Sequence, residues 1–214
     1  MTMRIRPARP DDAGFLARVI FIAARSHLER GPLDLAFEDD VEACHAFLER
    51  LTLATTRSWF HYSKFIVTEV DGRPAAALCG FDAREAGMVT VMQAVQEVAD
   101  EIGWTEADLA AIEKRLEPTL TCMPDETEGA WIIENVATLP EFRRRGLINM
   151  LLEEILEMGR RADYRLAQTA CMIGNTAVQR AYEKVGFQVV DEKRHPDFEA
   201  ALGCPGIRRL LRDL

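Results

Sequence analysis

The sequence predicts an α/β fold, and three observations carry that expectation. From Ala130 onward strand-like and helix-like segments alternate. Before them, two β-rich runs flank Asp71-Gly72-Arg73, a hairpin signal. Hydrophobic residues at 48% against 29% charged give the balance of a chain that buries a core. The 214 residues suffice for one sizeable domain, and no internal repeat, low-complexity tract or long linker divides them. We read residues 1–214 as a single domain with a helical insertion at about residues 83–118.

Met3 to Ala8 alternates around Ile5 and meets Pro7 and Pro10, as a short strand does. Asp11 and Asp12 sit where a helix starts, and Phe15, Leu16, Val19, Ile20 and Ala23 follow at helical spacing. Ser26 to Phe37, with Gly31 and Pro32, reads as a loop. A second helix runs from about Asp39 to Leu53, with Val41, Cys44, Phe47, Leu48 and Leu51 on one face. Lys64 to Val70 and Pro74 to Phe81 are the hairpin strands. Val91, Val95, Val98 and Ile102 mark a helix ending at Gly103. Thr105 with Asp108 caps the next, which runs through Leu109, Ile112 and Leu116 to a stop at Pro118. Then come a strand at Trp131 to Thr138, an amphipathic helix at Gly146 to Arg161 and a strand at Leu166 to Met172. A helix at Thr176 to Val185, closed by Gly186, leads to strands at Phe187 to Val190 and Ile207 to Leu211.

The net charge of −9 makes nucleic acid a poor partner and favours a cationic one. Eleven acidic residues between Glu85 and Glu128 face only Lys114 and Arg115, so that segment alone carries −9. It is expected to form part of an acidic approach surface for a cationic ligand, or else a solvated helical pair. Cys44, Cys79, Cys122, Cys171 and Cys204 show no C-x-x-C spacing and suit a reducing compartment. His27, His45, His61 and His195 are scattered without metal-ligand spacing, so no metal is expected. Met1 to Pro7 has no apolar h-region, and the longest apolar run, Val19 to Ala24, is too short to span a bilayer. These features lead us to expect a cytoplasmic protein with no membrane partner.

The most informative segment is Val136-Ala137-Thr138-Leu139-Pro140-Glu141-Phe142-Arg143-Arg144-Arg145-Gly146-Leu147-Ile148, at a strand-to-helix junction. The first N–H groups of a helix lack intrahelical partners and, with the macrodipole, form an anion site. Gly146 permits close approach, and Arg143, Arg144 and Arg145 add positive charge within an acidic chain. A pyrophosphate suits such a place; a solvated basic helix start is the plain reading.

That strand, Pro-Glu-aromatic, and Arg-x-x-Gly opening a helix resemble the acetyl-CoA motif of the GNAT superfamily of N-acetyltransferases, R/Q-x-x-G-x-G/A. Asn175-Thr176-Ala177-Val178-Gln179-Arg180-Ala181-Tyr182-Glu183-Lys184-Val185-Gly186-Phe187 resembles the family's second signature, N-x-x-A-x-x-x-Y-x-x-x-G-F, in the usual order and at a normal separation. Arg4-Ile5-Arg6-Pro7-Ala8 with Asp11-Asp12 is similar to a common opening of the family. The likeness covers residues 129–190 most closely, 3–81 more weakly, and the insertion not at all. Ile148 departs from the pattern, standing where the family has Gly or Ala.

The resemblance implies a mixed central sheet of about six or seven strands flanked by helices and splayed at the cofactor strands, with the helical insertion before the cofactor strand. It implies acetyl-CoA as co-substrate. Val136, Ala137 and Thr138 would pair with the pantetheine arm, and Arg143, Arg144, Arg145, Gly146, Leu147, Ile148 and Asn149 would hold the pyrophosphate. An amide on this strand would stabilise the oxyanion. Asn175 would bind the arm or simply cap its helix. Tyr182 matches the family's general acid, against a core tyrosine as the plain reading. Glu134, on the cofactor strand, is the candidate base, against a rim carboxylate. A base matters because a lysine-like amine is only about 0.1% neutral near neutral pH, a deficit of roughly 4 kcal/mol. Ala170 stands where some relatives that acetylate protein N-termini place a glutamate, and His27 lies near a region that resembles an acceptor-binding loop. Cys171 is read as a small apolar residue. The acceptor would be a small-molecule or peptide amine, and a homodimer is common among relatives. An acyl-CoA-binding module without turnover is the alternative.

Overall fold

The computed structural model describes residues 2–214. Its centre is a seven-stranded sheet in the order β1-β2-β3-β4-β5-β7-β6. The strands are β1 (Met3–Pro7), β2 (Phe65–Val70), β3 (Arg73–Asp82), β4 (Trp131–Thr138), β5 (Leu166–Met172), β6 (Gln188–Arg194) and β7 (Gly206–Asp213). Every neighbouring pair is antiparallel except β4 with β5, so the sheet is mixed, as the motifs implied. Asp71 and Gly72 both take positive φ (48° and 78°), the two-residue turn whose twist matches a hairpin.

Helices cover both faces. On one side α1 (Ala13–Arg25) and α3 (Val41–Leu53) bury Leu16, Ile20, Leu48 and Leu51 against Phe65, Val67, Ala77, Cys79 and Phe81. On the other, α7 (Leu147–Arg161) presses Leu151, Leu152 and Ile155 onto Ile66, Ala76, Leu78 and Ile133, and Tyr182 of α8 (Thr176–Lys184) joins them. The alternation within β3, Ala77-Cys79-Phe81 to one face and Ala76-Leu78 to the other, is the period-2 rule at work. Trp131 fills a slot that only glycines leave open. A Cβ on Gly80 would stand 2.6 Å from its ring, and one on Gly159 2.9 Å.

The insertion joins β3 to β4 as α4 (Ala83–Ala86), α5 (Met88–Ile102) and α6 (Glu106–Leu120). The expected stop at Pro118 is corrected: α6 runs through it to Leu120. The proline stands in the last turn, where the Thr119 and Thr121 hydroxyls donate to the carbonyls of Leu116 and Pro118 at 2.7 Å. The segment read as a loop, Ser26 to Phe37, contains a one-turn helix, α2 (Pro32–Ala36). Asp34 holds it in place, accepting a bidentate bond from Arg25 at 2.6 and 2.9 Å and another from the Gly31 N–H at 2.7 Å. The third helix begins at Val41 rather than Asp39, with the Asp40 carboxylate accepting from the Ala43 N–H at 2.9 Å. β6 continues past Val190 to Arg194, and α9 (Pro196–Leu202), absent from the sequence reading, connects it to β7.

Candidate active site

The site is built on β4. Ile132 and Ala137 both face α1, although they are five residues apart. Strict alternation forbids that, so an extra residue must be absorbed between them. The register shows where: Cys79 pairs with Glu134 and Ala77 with Ala137, a bulge in which Asn135 takes φ +55°. Asparagine is one of the few side chains that visit this region readily. The Cys79 thiol donates to the Glu134 carbonyl at 3.3 Å, and the Asn135 side-chain amide donates to the Cys79 sulfur at 3.5 Å. The bulge is thereby tied to β3.

On its other edge β4 pairs with β5 only at Trp131–Ala167 and Ile132–Gln168. Beyond that the two strands part. At the vertex the Thr169 hydroxyl donates to the Ile133 carbonyl at 3.0 Å, occupying an acceptor that the ladder no longer satisfies. The wedge opens into a cavity of about 850 Å³, within the range of small-molecule sites.

At one end of this cavity lies the turn after β4. Phe142 is its buried anchor, with the Arg73 and Arg145 guanidinium groups each 5.4 Å from its ring centroid. Arg144 and Gly146 take positive φ (63° and 75°), and Gly146 opens α7 without a side-chain cap. Such a left-handed turn leading into a helix gathers N–H groups into an anion-binding nest, and the helix dipole adds to it. Arg143, Arg144, Arg145, Gly146, Leu147, Ile148 and Asn149 all line the cavity here. Ile148 also packs half-buried against the α7 core, which accommodates its branched side chain.

Val136, Ala137 and Thr138 line the middle, on the free edge of β4. Glu134 is half-buried within the cavity. Desolvation pushes its carboxyl up to about 7, offset only by a bond from the Asn135 N–H. Across the wedge Tyr182 is buried and edge-on to Phe187 at 5.9 Å, and its hydroxyl meets the Thr169 side chain. Burial holds this phenol well above the ordinary tyrosine range, so it keeps its proton. The carboxyl and the phenol thus face one space with their ordinary acidities displaced. Cys171 lines the same wedge with its thiol pushed up to about 11 by burial, a poor nucleophile. Asn175 caps α8, its carbonyl oxygen accepting from the Val178 N–H at 3.2 Å, while its amide donates to the Ser26 hydroxyl at 2.7 Å. Both ends of that side chain are therefore engaged within the protein.

His27 reaches the cavity wall, close against Gly174. The other histidines do not: His45 packs against Phe21 of α1 and His61 is buried beside Ser63, burial lowering the pKa of both, and His195 caps α9, accepting from the Asp197 N–H at 3.2 Å. Among the described residues, no three of His, Cys, Asp or Glu gather as a metal site, and no helix is long and apolar enough to cross a membrane.

The far end of the cavity was not foreseen. Phe81, paired with Ile132 on β4, lies there with Trp59 and Phe60 against it, and Met123, Pro124 and Ile22 line the cavity as well. An aromatic pair in the aperiodic stretch after α3 was the available signal. The insertion's acidic residues are placed variously. Of the insertion's carboxylates, Glu126 reaches the cavity, whereas others have structural work. Glu97 accepts from the Thr55 and Thr56 N–H groups at 2.5 and 3.0 Å, Asp108 caps α6, and Asp125 pairs with Lys193 at 2.7 Å.

The sequence matches the model of the acetyltransferase (GNAT) family over residues 33–187, more than half of the chain. Among solved structures, one described as an acetyltransferase superposes with a TM-score of 0.72 at 16% identity, covering 98% of each chain. An N-acetyltransferase from Staphylococcus aureus Mu50 gives 0.70 at 20% identity, over 98% of this chain and 100% of that one. A Drosophila melanogaster polyamine N-acetyltransferase that forms N-acetylagmatine gives 0.55 at 14% identity over 100% of both. At such identities the likeness establishes a shared fold. No curated protein matches the sequence.

Proposed function

Because this chain belongs to the GNAT acetyltransferase family, we propose that it moves the acetyl group of acetyl-CoA to a primary amine, by direct attack within a ternary complex. One observation carries the reading: a continuous cavity joins the Arg143–Asn149 turn, the free edge of β4, and the Glu134–Tyr182 pair. These are the groups that a pyrophosphate, an extended amide-bearing arm and a thioester require, in the order in which CoA presents them.

Glu134 then takes a proton from the substrate ammonium, directly or through one water, and the neutral amine attacks the thioester carbon. A carboxyl near 7 is well placed for that work at neutral pH. As the carbon–sulfur bond breaks, Tyr182 gives its proton to the departing thiolate, while the nitrogen keeps the acetyl group and releases its second proton, which returns through solvent to the Tyr182 phenolate. Both groups lie in a partly desolvated wedge, where charge–dipole effects are stronger than in water. Val136, Ala137 and Thr138 hold the arm, and Arg143, Arg144, Arg145, Gly146, Leu147, Ile148 and Asn149 the pyrophosphate. Asn175 acts by fixing the start of α8, and through it Tyr182. The five free cysteines suit a cytoplasmic setting.

The direct experiment is calorimetric titration with acetyl-CoA, then thiol release measured over a panel of primary amines. Saturable binding followed by amine-dependent release is expected. Binding without release for every amine would replace the transferase reading with that of a binding module, and no binding would remove both.

A further inference from the structure

The acceptor's chemical class can be narrowed from the end of the cavity beyond Glu134, an inference that rests on the acetyl-transfer reading above. There Trp59 lies stacked on Phe81, with ring centroids 5.3 Å apart and planes 21° apart, and Phe60 tilts against Trp59 at 5.3 Å. Met123 and Pro124, after α6, also line the cavity. The polar residues nearby are largely engaged with the protein itself. Gln168 accepts from the Thr127 N–H at 2.8 Å and donates to the Asp125 carbonyl at 3.0 Å. The Ser26 hydroxyl accepts from Asn175 at 2.7 Å. Arg25, at the end of α1, is held by Asp34 in a bidentate pair and lies over Phe21 at 4.3 Å. The arginines that do line the cavity, Arg143, Arg144 and Arg145, belong to its other end.

An acceptor seated here meets a carboxyl beside its reacting nitrogen and an aromatic wall around the rest. Among the described residues, no lysine or arginine lines the cavity at that wall to meet a carboxylate-bearing acceptor, and a polyhydroxylated one would bury more hydroxyls than the few polar side chains there can pair, at a cost of about 1–3 kcal/mol for each left unpaired. Among the described residues, Glu126, on the exposed rim, is the carboxylate besides Glu134 that lines the cavity for further ammonium groups. An aryl ring suits the wall instead, since stacked or edge-on aromatic contact adds to the gain from burial.

We propose that the acceptor is a primary monoamine carried on an aromatic or comparably bulky apolar body, which Trp59, Phe60 and Phe81 seat while Glu134 faces the nitrogen. The test compares thiol release from acetyl-CoA with 2-phenylethylamine, ethylamine and spermidine as acceptors for the wild-type protein. The kcat/KM for 2-phenylethylamine should exceed that for ethylamine and for spermidine at least tenfold. Trp59→Ala should cost at least tenfold in kcat/KM for 2-phenylethylamine and little for ethylamine, while acetyl-CoA affinity by calorimetry holds. Equal values for the aryl amine and ethylamine, or a preference for spermidine, would overturn the proposal and leave acetyl transfer standing. If no amine releases thiol, calorimetry of the same amines into the wild-type protein saturated with CoA decides. Tighter binding of 2-phenylethylamine upholds the aromatic seat although transfer fails, and no difference sinks it.

Discussion

Replacing Glu134 with Gln separates what this carboxyl does for catalysis from what it costs the fold. Burial moves it from 4.5 to about 7, which corresponds to about 3 kcal/mol against charging it in the folded protein. The folded state holds this proton over a range in which the unfolded chain has released it, so stability falls as pH rises from 4.5 to about 7. Gln has nearly the same shape and no charge to lose. At pH 8, Glu134→Gln should therefore unfold at a higher temperature than wild type, by up to about 6–12 °C for a chain of this size. At pH 4, where the carboxyl is protonated in both states, the two proteins should nearly coincide. Activity should move the opposite way. A base must be deprotonated, so wild-type kcat/KM should rise through about pH 7. The variant should lose that limb and fall about 10²–10⁴-fold. Thermal scans at the two pH values and a pH–rate profile check both halves. A variant equally destabilised at pH 4 and pH 8 would show that the side chain serves packing, and an unchanged profile would remove it as the base.

Tyr182→Phe keeps the ring against Phe187 and removes one hydroxyl; turnover should fall about 10²-fold or more with acetyl-CoA affinity little changed, and near wild-type turnover in a chemistry-limited assay would make it a core residue only. Reversing Arg144 and Arg145 together to Glu should weaken CoA binding at least tenfold, more so at low salt, by calorimetry on the folded double variant. Gly80→Ala drives a methyl to within 2.6 Å of the Trp131 ring and 2.8 Å of Ile155. It should cost about 1–3 kcal/mol, read as a lower urea midpoint at unchanged slope.

The parts of the molecule that follow local rules were legible in the sequence. β4 and β5 begin and end where the apolar runs Trp131–Thr138 and Leu166–Met172 do. The tight turn at Asp71-Gly72 and the left-handed stop at Gly103 needed no tertiary information. What escaped is set by partners distant in the chain. β6 continues through the charged run Asp191-Glu192-Lys193-Arg194 because β7 presents Arg209 and Arg208 to Asp191 and Glu192. α2 is too short to show a period and exists by virtue of Arg25 and Asp34. Within the candidate site, the family motifs pointed to the residues on β4, α7 and α8. The wedge itself depends on a bulge that only the pairing with β3 reveals, though an asparagine at its centre was a clue. Glu134 reads as one polar residue in a strand, and nothing local announces how deeply its carboxyl is desolvated. Trp59 and Phe60 belong to no periodic segment, so their place in the cavity emerges only when β3 brings Phe81 beneath them.

The strand order has a consequence for how the chain is made. β7 lies between β5 and β6, pairing with β5 from Leu166–Asp213 to Met172–Ile207 and with β6 on its other edge, yet it is synthesised after both. A nascent chain can assemble β1 to β4 with α1 and α3 while the rest is still being translated, since domains tend to build from the N-terminal side during synthesis. β5 and β6 have no such option. Each must wait with an open edge until Gly206–Asp213 leaves the ribosome, and α8, with Tyr182, waits between them. The half of the wedge that bears the phenol is thus the last to be walled in.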